Sequence, residues 1–240
     1  MKLSNRLEMV VSFVKPGESA ADVGTDHGHV PVELVRRGIV KRALAMDVRK
    51  GPLSKAEENI AAARMKEKIE TRLSDGVCKL RAGEAETVII AGMGGELVIH
   101  IMEDGRHVWD TVDQWVLSPH SEIYKVREWL EKNGFAIVKE DMLFEEGKYY
   151  TVLDVRKEQD ANAVFSEVKE KEAEKKYRYG TCLRSGNHPV FAAYLKDEEE
   201  KLLSLKANLE KQAVHSERAR ESLRDVEEKI SMNREVQNEL

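Results

Sequence analysis

The sequence predicts an α/β protein with a mostly parallel, Rossmann-like sheet, a terminal antiparallel hairpin and a helical region after it. Three observations predict this fold. Short apolar runs alternate with amphipathic stretches from residue 20 to about residue 157. The last two runs are joined by a very short connection, and the sequence beyond them is strongly charged and helical in character. Strand–helix alternation is typical of βαβ units around a parallel sheet, whereas a short connection favours a hairpin.

Seven segments are the predicted strands. In chain order they are SAADVG, RALAMD, IETRLSD, AETVIIAGM, QWVLSP, FAIVKEDMLFE and KYYTVLDVRK. Helices are predicted between most of them, for example from Pro52 to Arg64 and from Ile123 to Lys132. Only Glu145-Glu146-Gly147-Lys148 joins the last two strands. Five parallel strands followed by a hairpin are typical of class I methyltransferases, a resemblance of fold that does not by itself establish function.

The composition changes after about residue 157. Residues 160–178 are predicted to form a charged helix, which the turn segment YGTCLRSGNHP follows. Residues 190–240 contain no Gly or Pro and are predicted to form one long helix. Its heptad-spaced positions are Leu202, Leu205, Leu209, Gln212, Ser216, Ala219, Leu223, Val226 and Ile230. We therefore predict a helical coiled-coil hairpin, and two domains over residues 1–158 and 159–240.

Composition narrows the class of protein. Hydrophobic residues make up 41% of the 240-residue chain, enough for a sizeable core. No apolar run is long enough to cross a bilayer, and the N-terminal segment lacks the apolar stretch of a signal peptide. We therefore expect a cytoplasmic protein that does not bind membranes. Cys78 and Cys182 have no metal-ligand spacing, and a buried thiol is expected for each.

Positive charge is concentrated in one part of an otherwise acidic chain. The formal net charge is −5, yet residues 34–81 contain thirteen Lys or Arg and only six Asp or Glu. Such a segment can bind phosphates while the rest of the protein repels them. It can equally consist of solvated helix faces, and the composition leaves both interpretations open.

A glycine-containing turn follows the first predicted strand. The segment is Ala20-Ala21-Asp22-Val23-Gly24-Thr25-Asp26-His27-Gly28-His29. Gly24 permits a tight turn against a ligand, and Gly28 permits close approach at the start of the next helix. The N-terminus of a helix attracts anions, such as the carboxylate of a methionine moiety. The turn alone could also be an ordinary tight turn.

Acids and glycines follow the next three strands. Asp47 ends the second strand, where nucleotide-binding folds place an acid for ribose hydroxyls. Asp75 and Gly76 follow the third strand, and Ala91-Gly92-Met93-Gly94-Gly95 closes the fourth. The turn does not fit the G-x-G-x-x-G pattern of nicotinamide enzymes. An Asp-x-Gly opening with a later Asp-Gly fits S-adenosylmethionine better, which is the predicted cofactor.

Several of these strings together resemble one family. DVGTDHGHVP, AMDVRKGPLSKAEENI, LSDGVCKL and VIIAGMGGELV resemble the bacterial tRNA (adenine-22-N1)-methyltransferases, the TrmK family. The likeness continues through VREWLEKNGFAIVKED and GKYYTV into the C-terminal helices, so it covers essentially the whole chain. It implies an enzyme that transfers methyl groups from S-adenosylmethionine to N1 of an adenine in the D-arm region of tRNA, with residues 1–158 as the catalytic domain.

The resemblance also implies site residues. The predicted cofactor-binding set is Asp22, Gly24, Asp26, His27, Gly28, Asp47, Val48, Asp75, Gly76, Gly92, Met93 and Gly94. By this resemblance, the methionine end of the cofactor is bordered by Gly24, Asp26, His27 and Gly28. Asp47 and Val48 would meet its ribose and adenine, and Asp75 and Gly76 its adenine. Gly92, Met93 and Gly94 would lie beside the transferred methyl. The chain departs from the family pattern at two places. The family has an amide or similar residue after the proline of the fifth strand, where this chain has His120, and it has Phe-Gly-Pro where this chain has Tyr179-Gly180-Thr181.

Adenine N1 has a free lone pair, so no base is needed to activate it, but the product is cationic. Asp26 is the predicted catalytic residue because a carboxylate stabilises such a charge; holding the loop is its alternative role. His27 and His29 are more often structural, and no metal site is predicted from them. Trp115, Trp129 and Tyr149 are loose candidates for base stacking, of which Trp129 and Tyr149 are expected to pack against the sheet.

The predicted partner is tRNA. The basic segment 36–55 and the C-terminal cations Lys175, Lys176, Arg178 and Arg184 are the predicted contact surfaces. The helical hairpin could instead pair two copies, so a monomer or a weak dimer is expected. Two other functions remain as alternatives: a small-molecule methyltransferase, or a non-catalytic coiled-coil scaffold with a vestigial pocket.

Overall fold

The computed structural model describes residues 3–158, 170–213 and 216–240. The chain divides into two compact units, Met1–Glu167 and Val168–Leu240. The predicted domain boundary after residue 158 adjoins residues outside the described ranges, and the assignment of a function to each domain stays a prediction.

The first unit alternates helices and strands, and contains each of the seven predicted strands. Its elements are α1 (Asn5–Phe13), β1 (Gly17–Val23), α2 (His29–Arg36), β2 (Val40–Asp47), α3 (Lys50–Ala62), β3 (Ile69–Leu73), β4 (Thr87–Ala91), α4 (Gly95–Asp104), a 3₁₀ helix (Arg106–Thr111), β5 (Gln114–Ser118), α5 (Ile123–Lys132), β6 (Phe135–Glu145) and β7 (Lys148–Lys157). The predicted bounds are correct for α5, β6 and β7, whereas α3 begins and ends two residues before its prediction.

The strands form one seven-stranded sheet in the order β3-β2-β1-β4-β5-β7-β6. The first five are parallel to one another, and β7 lies antiparallel between β5 and β6. This confirms the mostly parallel sheet with a terminal hairpin. The chain order reverses between β1 and β4. Open α/β sheets bind ligands in the crevice at the carboxyl ends of the strands, at such a reversal.

Both faces of the sheet are buried. On β4, Val88 and Ile90 pack into one apolar cluster, and Ile89 packs into another on the opposite face. The neighbouring β5 repeats the pattern, with Trp115 in the first cluster and Val116 in the second. Successive side chains of a strand point to opposite faces. A continuous apolar run such as VIIA therefore marks a strand covered by helices on both sides.

The first helix is fastened to the far end of the sheet by hydrogen bonds. The Ser4 hydroxyl caps α1 by accepting from the Leu7 N–H. The Glu145 carboxylate, at the end of β6, accepts from the backbone N–H groups of Asn5 at 2.8 Å and Arg6 at 3.1 Å. An acid at a helix N-terminus stabilises the unpaired N–H groups there. These bonds fix the backbone position of Arg6, from which its side chain extends.

The second unit contains α6 (Glu170–Tyr179), α7 (Thr181–Arg184), α8 (Pro189–Ala213) and α9 (Glu217–Glu239). The prediction of one unbroken helix over 190–240 is wrong, because α8 and α9 are separate and pack antiparallel. Leu202 of α8 contacts Val226 and Ile230 of α9 in one apolar cluster. Further along the pair, the Asn233 side chain donates to the Leu195 carbonyl at 3.1 Å.

The new helix starts at a residue that the heptad assignment had placed in the seam. The Ser216 hydroxyl accepts from the Ala219 N–H at 3.3 Å, so Ser216 is the N-cap of α9. Leu205, another predicted seam position, is 46% exposed. Residues 160–169 of the predicted charged helix lie outside the described residues.

Two expectations from composition can be compared with the structure, one about the cysteines and one about membrane-spanning helices. Cys78 is exposed and Cys182 is partly exposed, so the expectation of buried thiols is wrong. Among the described residues, none of the helices combines the length and the apolar character that a membrane crossing requires.

Candidate active site

The loop after β1 is a tight turn held against β2. The N–H groups of Gly24 and Thr25 both donate to the Met46 carbonyl, at 2.8 and 2.9 Å. Gly24 and Gly28 have φ of +73° and +70°, in the left-handed region that favours glycine. Asp26 lies between them with φ of +50°, which is uncommon for a residue with a side chain. Every second residue from Gly24 to Gly28 therefore has a left-handed backbone, and these residues fold the chain back before α2 begins.

The same turn touches the loop after β4. A Cβ atom on Gly24 would overlap the Met93 methyl group. A Cβ on Gly28 would lie 3.0 Å from the Ala56 Cβ of α3. The structure therefore brings Gly24 and Met93 together, as the predicted site requires. A side chain at Gly24 would require Met93 to move, and one at Gly28 would require α3 to shift slightly.

Two acids at this edge are buried. Asp22 and Asp47 are 6% and 5% exposed. Burial raises the pKa of Asp22 to about 6, the Thr25 side chain acts in the opposite direction, and the charge of Asp47 raises it further. Two polar atoms at the same edge, His29 Nδ1 and Ser118 Oγ, are buried without a hydrogen-bond partner among the described residues. Buried polar groups normally have partners, so this edge has unused capacity for a polar ligand.

Asp47 has one oxygen engaged in the turn after β2. Its Oδ1 accepts from the Arg49 N–H at 2.8 Å, and no described residue donates to its Oδ2. The Ser74 N–H donates to the Asp47 carbonyl at 2.9 Å, which joins the ends of β2 and β3. Beside them, Asp75 is exposed and Val48 is 58% exposed. One free carboxylate oxygen and one exposed apolar side chain are available there to a ribose and a flat base.

Backbone hydrogen bonds hold the loops after β4 and β5 together. Gly92 N–H donates to the Ser118 carbonyl, His120 N–H to Met93, and Gly95 N–H to Ser121, at 3.1, 2.8 and 3.1 Å. Gly92 has φ of +84°. A Cβ on Gly95 would lie 2.7 Å from the Ser121 carbonyl oxygen, so this glycine serves loop packing.

One cluster beside Gly92 was not predicted. Arg6 Nη1 lies 3.4 Å from His120 Nε2, and the Arg6 guanidinium carbon lies 5.6 Å from the centre of the Tyr150 ring. The His120 and Tyr150 rings meet edge to face with centroids 5.4 Å apart. The three residues are far apart in the chain, and His120 alone had drawn attention, as a departure from the family pattern.

The two histidines of the β1 turn contact each other. The rings of His27 and His29 stack with centroids 5.4 Å apart, and His27 Nε2 lies 3.4 Å from Asp26 Oδ2. Asn59 Nδ2 donates to the His27 carbonyl at 2.9 Å. Burial first, then the charge of His27, lowers the pKa of His29, which favours its neutral form. Within the part of the chain that the structure describes, no group of three His, Cys, Asp or Glu residues could hold a metal ion.

The predicted stacking residues pack against other residues of the first unit, and Trp129 and Tyr149 remain partly exposed. Trp115 is fully buried, so its candidacy for base stacking is wrong. Trp129 stacks on Phe135 at 6.1 Å and donates its Nε1–H to Glu103, while the Tyr149 ring packs on Phe144 at 4.7 Å.

Many of the predicted tRNA-contacting cations already have acidic partners. In the second unit, Lys175 and Arg184 both pair with Glu172, and Arg178 pairs with Glu198 at 3.0 Å. In the basic segment of the first unit, the ion pairs are Arg36 with Glu33, Arg37 with Glu8 and Glu33, Lys41 with Glu18, Arg49 with Asp47, and Lys55 with Glu58. By contrast, Arg42 and Lys50 make no side-chain ion pair or hydrogen bond with any residue that the structure describes. The surplus of charge is therefore partly neutralised.

The pKa of Asp22 predicts a stability effect that depends on pH. In the folded protein this pKa is about 6, above the ordinary aspartate value, so folding favours the protonated form. That contribution is fully present at low pH and is lost as the pH rises through about 6. We expect Asp22→Asn to raise the free energy of unfolding of the ligand-free protein by about 2–3 kcal/mol at pH 8, and by clearly less at pH 5. Urea unfolding at both pH values measures this.

The exposed Asp75 provides the control for this measurement, since Asp75→Asn should change stability little at either pH. An Asp22→Asn protein that is less stable than the wild type at pH 8 would contradict the prediction.

Comparison with known proteins gives a consistent set of similarities. The model of a family described as "Methyltransferase domain" matches residues 3–153. A Bacillus subtilis tRNA (adenine(22)-N(1))-methyltransferase is 29% identical over 236 residues, which cover 98% of this chain and 97% of that protein. Its crystal structure superposes with a TM-score of 0.85 and 28% identity, covering 98% of this chain and 99% of that one.

A further structure includes the methyl donor. A Streptococcus pneumoniae protein, Sp1610, provisionally assigned as a tRNA (m1A22) methyltransferase, was solved in complex with S-adenosyl-L-methionine. It is 35% identical with a TM-score of 0.83, covering 98% of this chain and 100% of that one.

Proposed function

The chain belongs to the methyltransferase-domain family and, within it, to the bacterial tRNA (adenine-22-N1)-methyltransferases, and on this premise we propose that it transfers a methyl group from S-adenosylmethionine to N1 of adenine 22 in tRNA. One observation carries the proposal. The glycine turn after β1, the acids that end β2 and β3, and the glycines after β4 all lie at one edge of the sheet, where the strand order reverses.

The residues present at this edge fit S-adenosylmethionine. The turn from Gly24 to Gly28 opens onto the N-terminus of α2, a favourable place for the methionine carboxylate. The free oxygen of Asp47 can accept from ribose hydroxyls, and the exposed Val48 can cover a face of the adenine. Asp75 and Gly76 can bind the adenine amino group. When bound, the cofactor supplies a methyl group on a positively charged sulfur.

The protein's task in the transfer is electrostatic and positional. The methyl group leaves a sulfonium and joins a neutral ring nitrogen, so positive charge moves onto the adenine. We assign Asp26 to the stabilisation of that charge, because a fixed carboxylate lowers the energy of a developing cation. Its carboxylate is largely exposed, and the one ion pair found for it among the described residues is with His27. The left-handed backbone at Asp26 holds it in the turn.

Binding of tRNA requires cations that are free to meet phosphates. Arg42 and Lys50 are the cations of the basic segment that we assign to this role, since the others already pair with acids. Salt-sensitive binding is the expected signature. The contribution of the second unit to tRNA binding, and the expected monomer or weak dimer, stay predictions.

The proposed function is tested by methyl transfer to defined RNA. We expect label from S-adenosylmethionine to enter an unmodified tRNA transcript, and nucleoside analysis to identify the product as 1-methyladenosine. A transcript with guanine in place of adenine 22 should take up no label. Label in both transcripts would contradict the assigned position. Label in neither, with cofactor binding intact, would overturn the tRNA substrate and favour a small-molecule acceptor.

A further inference from the structure

The cluster of Arg6, His120 and Tyr150 borders the site on the side away from the cofactor acids. A Cβ on Gly92 would lie 3.6 Å from Arg6 Nη1 and 3.8 Å from the His120 ring, so both side chains are directly beside that glycine. Their elements pack around β5 and β7, on one side of β4, whereas Asp47 ends β2 on the other side of β1. We call Arg6, His120 and Tyr150 the acceptor cluster.

The Arg6 side chain has no acidic partner in the part of the chain that the structure describes. Among the described residues its side chain contacts the His120 ring and the Tyr150 ring, and no carboxylate lies within ion-pair distance. Its backbone position is fixed by the bond from its N–H to Glu145. An arginine anchored in this way and lacking an acidic partner is suited to binding a phosphate.

His120 can donate a hydrogen bond as a neutral ring. Partial burial, followed by the positive charges of Arg6 and Lys148, lowers the pKa of His120, so the ring is neutral near pH 7. Because a guanidinium only donates, the Nε2 atom that faces Arg6 at 3.4 Å must be the acceptor. The proton of the neutral ring then lies on Nδ1, and no described residue accepts it.

Tyr150 offers a flat ring and an unused hydroxyl. Its ring is partly exposed, and its hydroxyl makes no hydrogen bond with a residue that the structure describes. Aromatic side chains stack on unpaired bases of RNA, and an enzyme that modifies a base in folded RNA must first expose it. The ring has the chemistry and the position for such a base.

We propose that the acceptor cluster binds the target nucleotide of the tRNA, with Tyr150 stacked on the adenine, His120 donating to its edge, and Arg6 bound to the adjoining phosphate. This inference rests on the proposed function. As the bond from sulfur to the methyl carbon breaks and the bond from N1 forms, positive charge passes to the adenine ring. A guanidinium beside N1 would oppose that change, and this assigns Arg6 to the phosphate.

Single-turnover methylation at saturating enzyme and S-adenosylmethionine separates these roles. We expect Tyr150→Leu to slow methylation about 5- to 100-fold, and Tyr150→Phe to retain most of the rate. His120→Leu should be slow, whereas His120→Asn should recover much of the rate because its amide can donate from a similar position. Arg6→Gln should instead weaken tRNA binding, measured by fluorescence anisotropy, and lower its dependence on log salt concentration by about one.

Calorimetric affinity for S-adenosylmethionine and the thermal unfolding midpoint should stay at wild-type values in all these variants. Arg106→Ala is the matched control, since Arg106 also lies over an aromatic ring, that of Trp109 at 4.9 Å, but follows the far end of α4. Wild-type rates and tRNA affinity in the folded variants would overturn this inference alone. A wild-type enzyme that binds S-adenosylmethionine but methylates no transcript would overturn the proposed function and the inference with it.

Discussion

Replacing Arg127 with methionine is expected to lower the free energy of unfolding by about 3–5 kcal/mol. Arg127 of α5 donates from Nε to Glu140 of β6 at 2.7 Å, and both side chains are almost fully buried, at 5% and 1% exposure. Without the guanidinium, the Glu140 carboxylate keeps the cost of its desolvation and loses its counter-charge. The Oε2 atom of Glu140 already lacks a hydrogen-bond partner among the described residues.

Urea unfolding of the single and double variants measures this effect. Arg127→Met combined with Glu140→Leu removes both members of this ion pair, so stability should recover to within about 1–2 kcal/mol of the wild type. Lys132→Met, on the same helix, is the control, because Lys132 is exposed and its pair with Glu128 is worth little. Equal stability of the single and double variants would show that the charge is not the cause.

The strands could be predicted from sequence because each is a short apolar run bounded by turn residues. VIIA on β4 reads as a strand since both of its faces are buried, and β6 and β7 are separated by a Glu-Gly turn. The break between α8 and α9 was missed because neither Gly nor Pro marks it. The signal that was available is Ser216 followed by Glu217, a helix N-cap with an acid in the first turn.

The number of Lys and Arg residues in the basic segment overestimated the positive charge that is available to bind phosphates. Arg37 and Lys41 look like parts of a phosphate-binding run, but Glu8 and Glu18, which pair with them, come from elsewhere in the chain. Charge counted along a segment does not include acids that the fold brings in from other segments. For the same reason Arg127 and Glu140 look like ordinary surface residues in the sequence.

The two sides of the site differed in how far they could be predicted. The cofactor side follows strand ends, so Gly24 and Asp47 could be found from the positions of strands alone. The acceptor cluster depends on α1 crossing to the end of β6 through Glu145, and on β7 inserting between β5 and β6. Strand order and long-range hydrogen bonds of this kind leave no local pattern in the sequence.

Asp47→Ala is expected to weaken binding of S-adenosylmethionine about 10- to 150-fold. The free oxygen of this buried carboxylate is the group that we assign to the ribose hydroxyls, and hydrogen bonds to a charged group contribute about 1.5–3 kcal/mol. Isothermal titration calorimetry measures the affinity without requiring turnover. Asp47→Asn should have a smaller effect, because its amide oxygen can still accept from the Arg49 N–H and from one hydroxyl.

The loss of affinity should not be a loss of folding. Asp47 raises the pKa of the neighbouring Asp22 through its charge, so its removal relieves a repulsion between two buried acids and offsets the lost bond to Arg49. Asp113→Ala removes an exposed carboxylate at the amino end of β5, the opposite edge of the sheet, and should leave the affinity unchanged. An Asp47→Ala protein that unfolds like the wild type and binds S-adenosylmethionine within twofold of it would show that the ribose is held elsewhere, and would move the cofactor away from the end of β2.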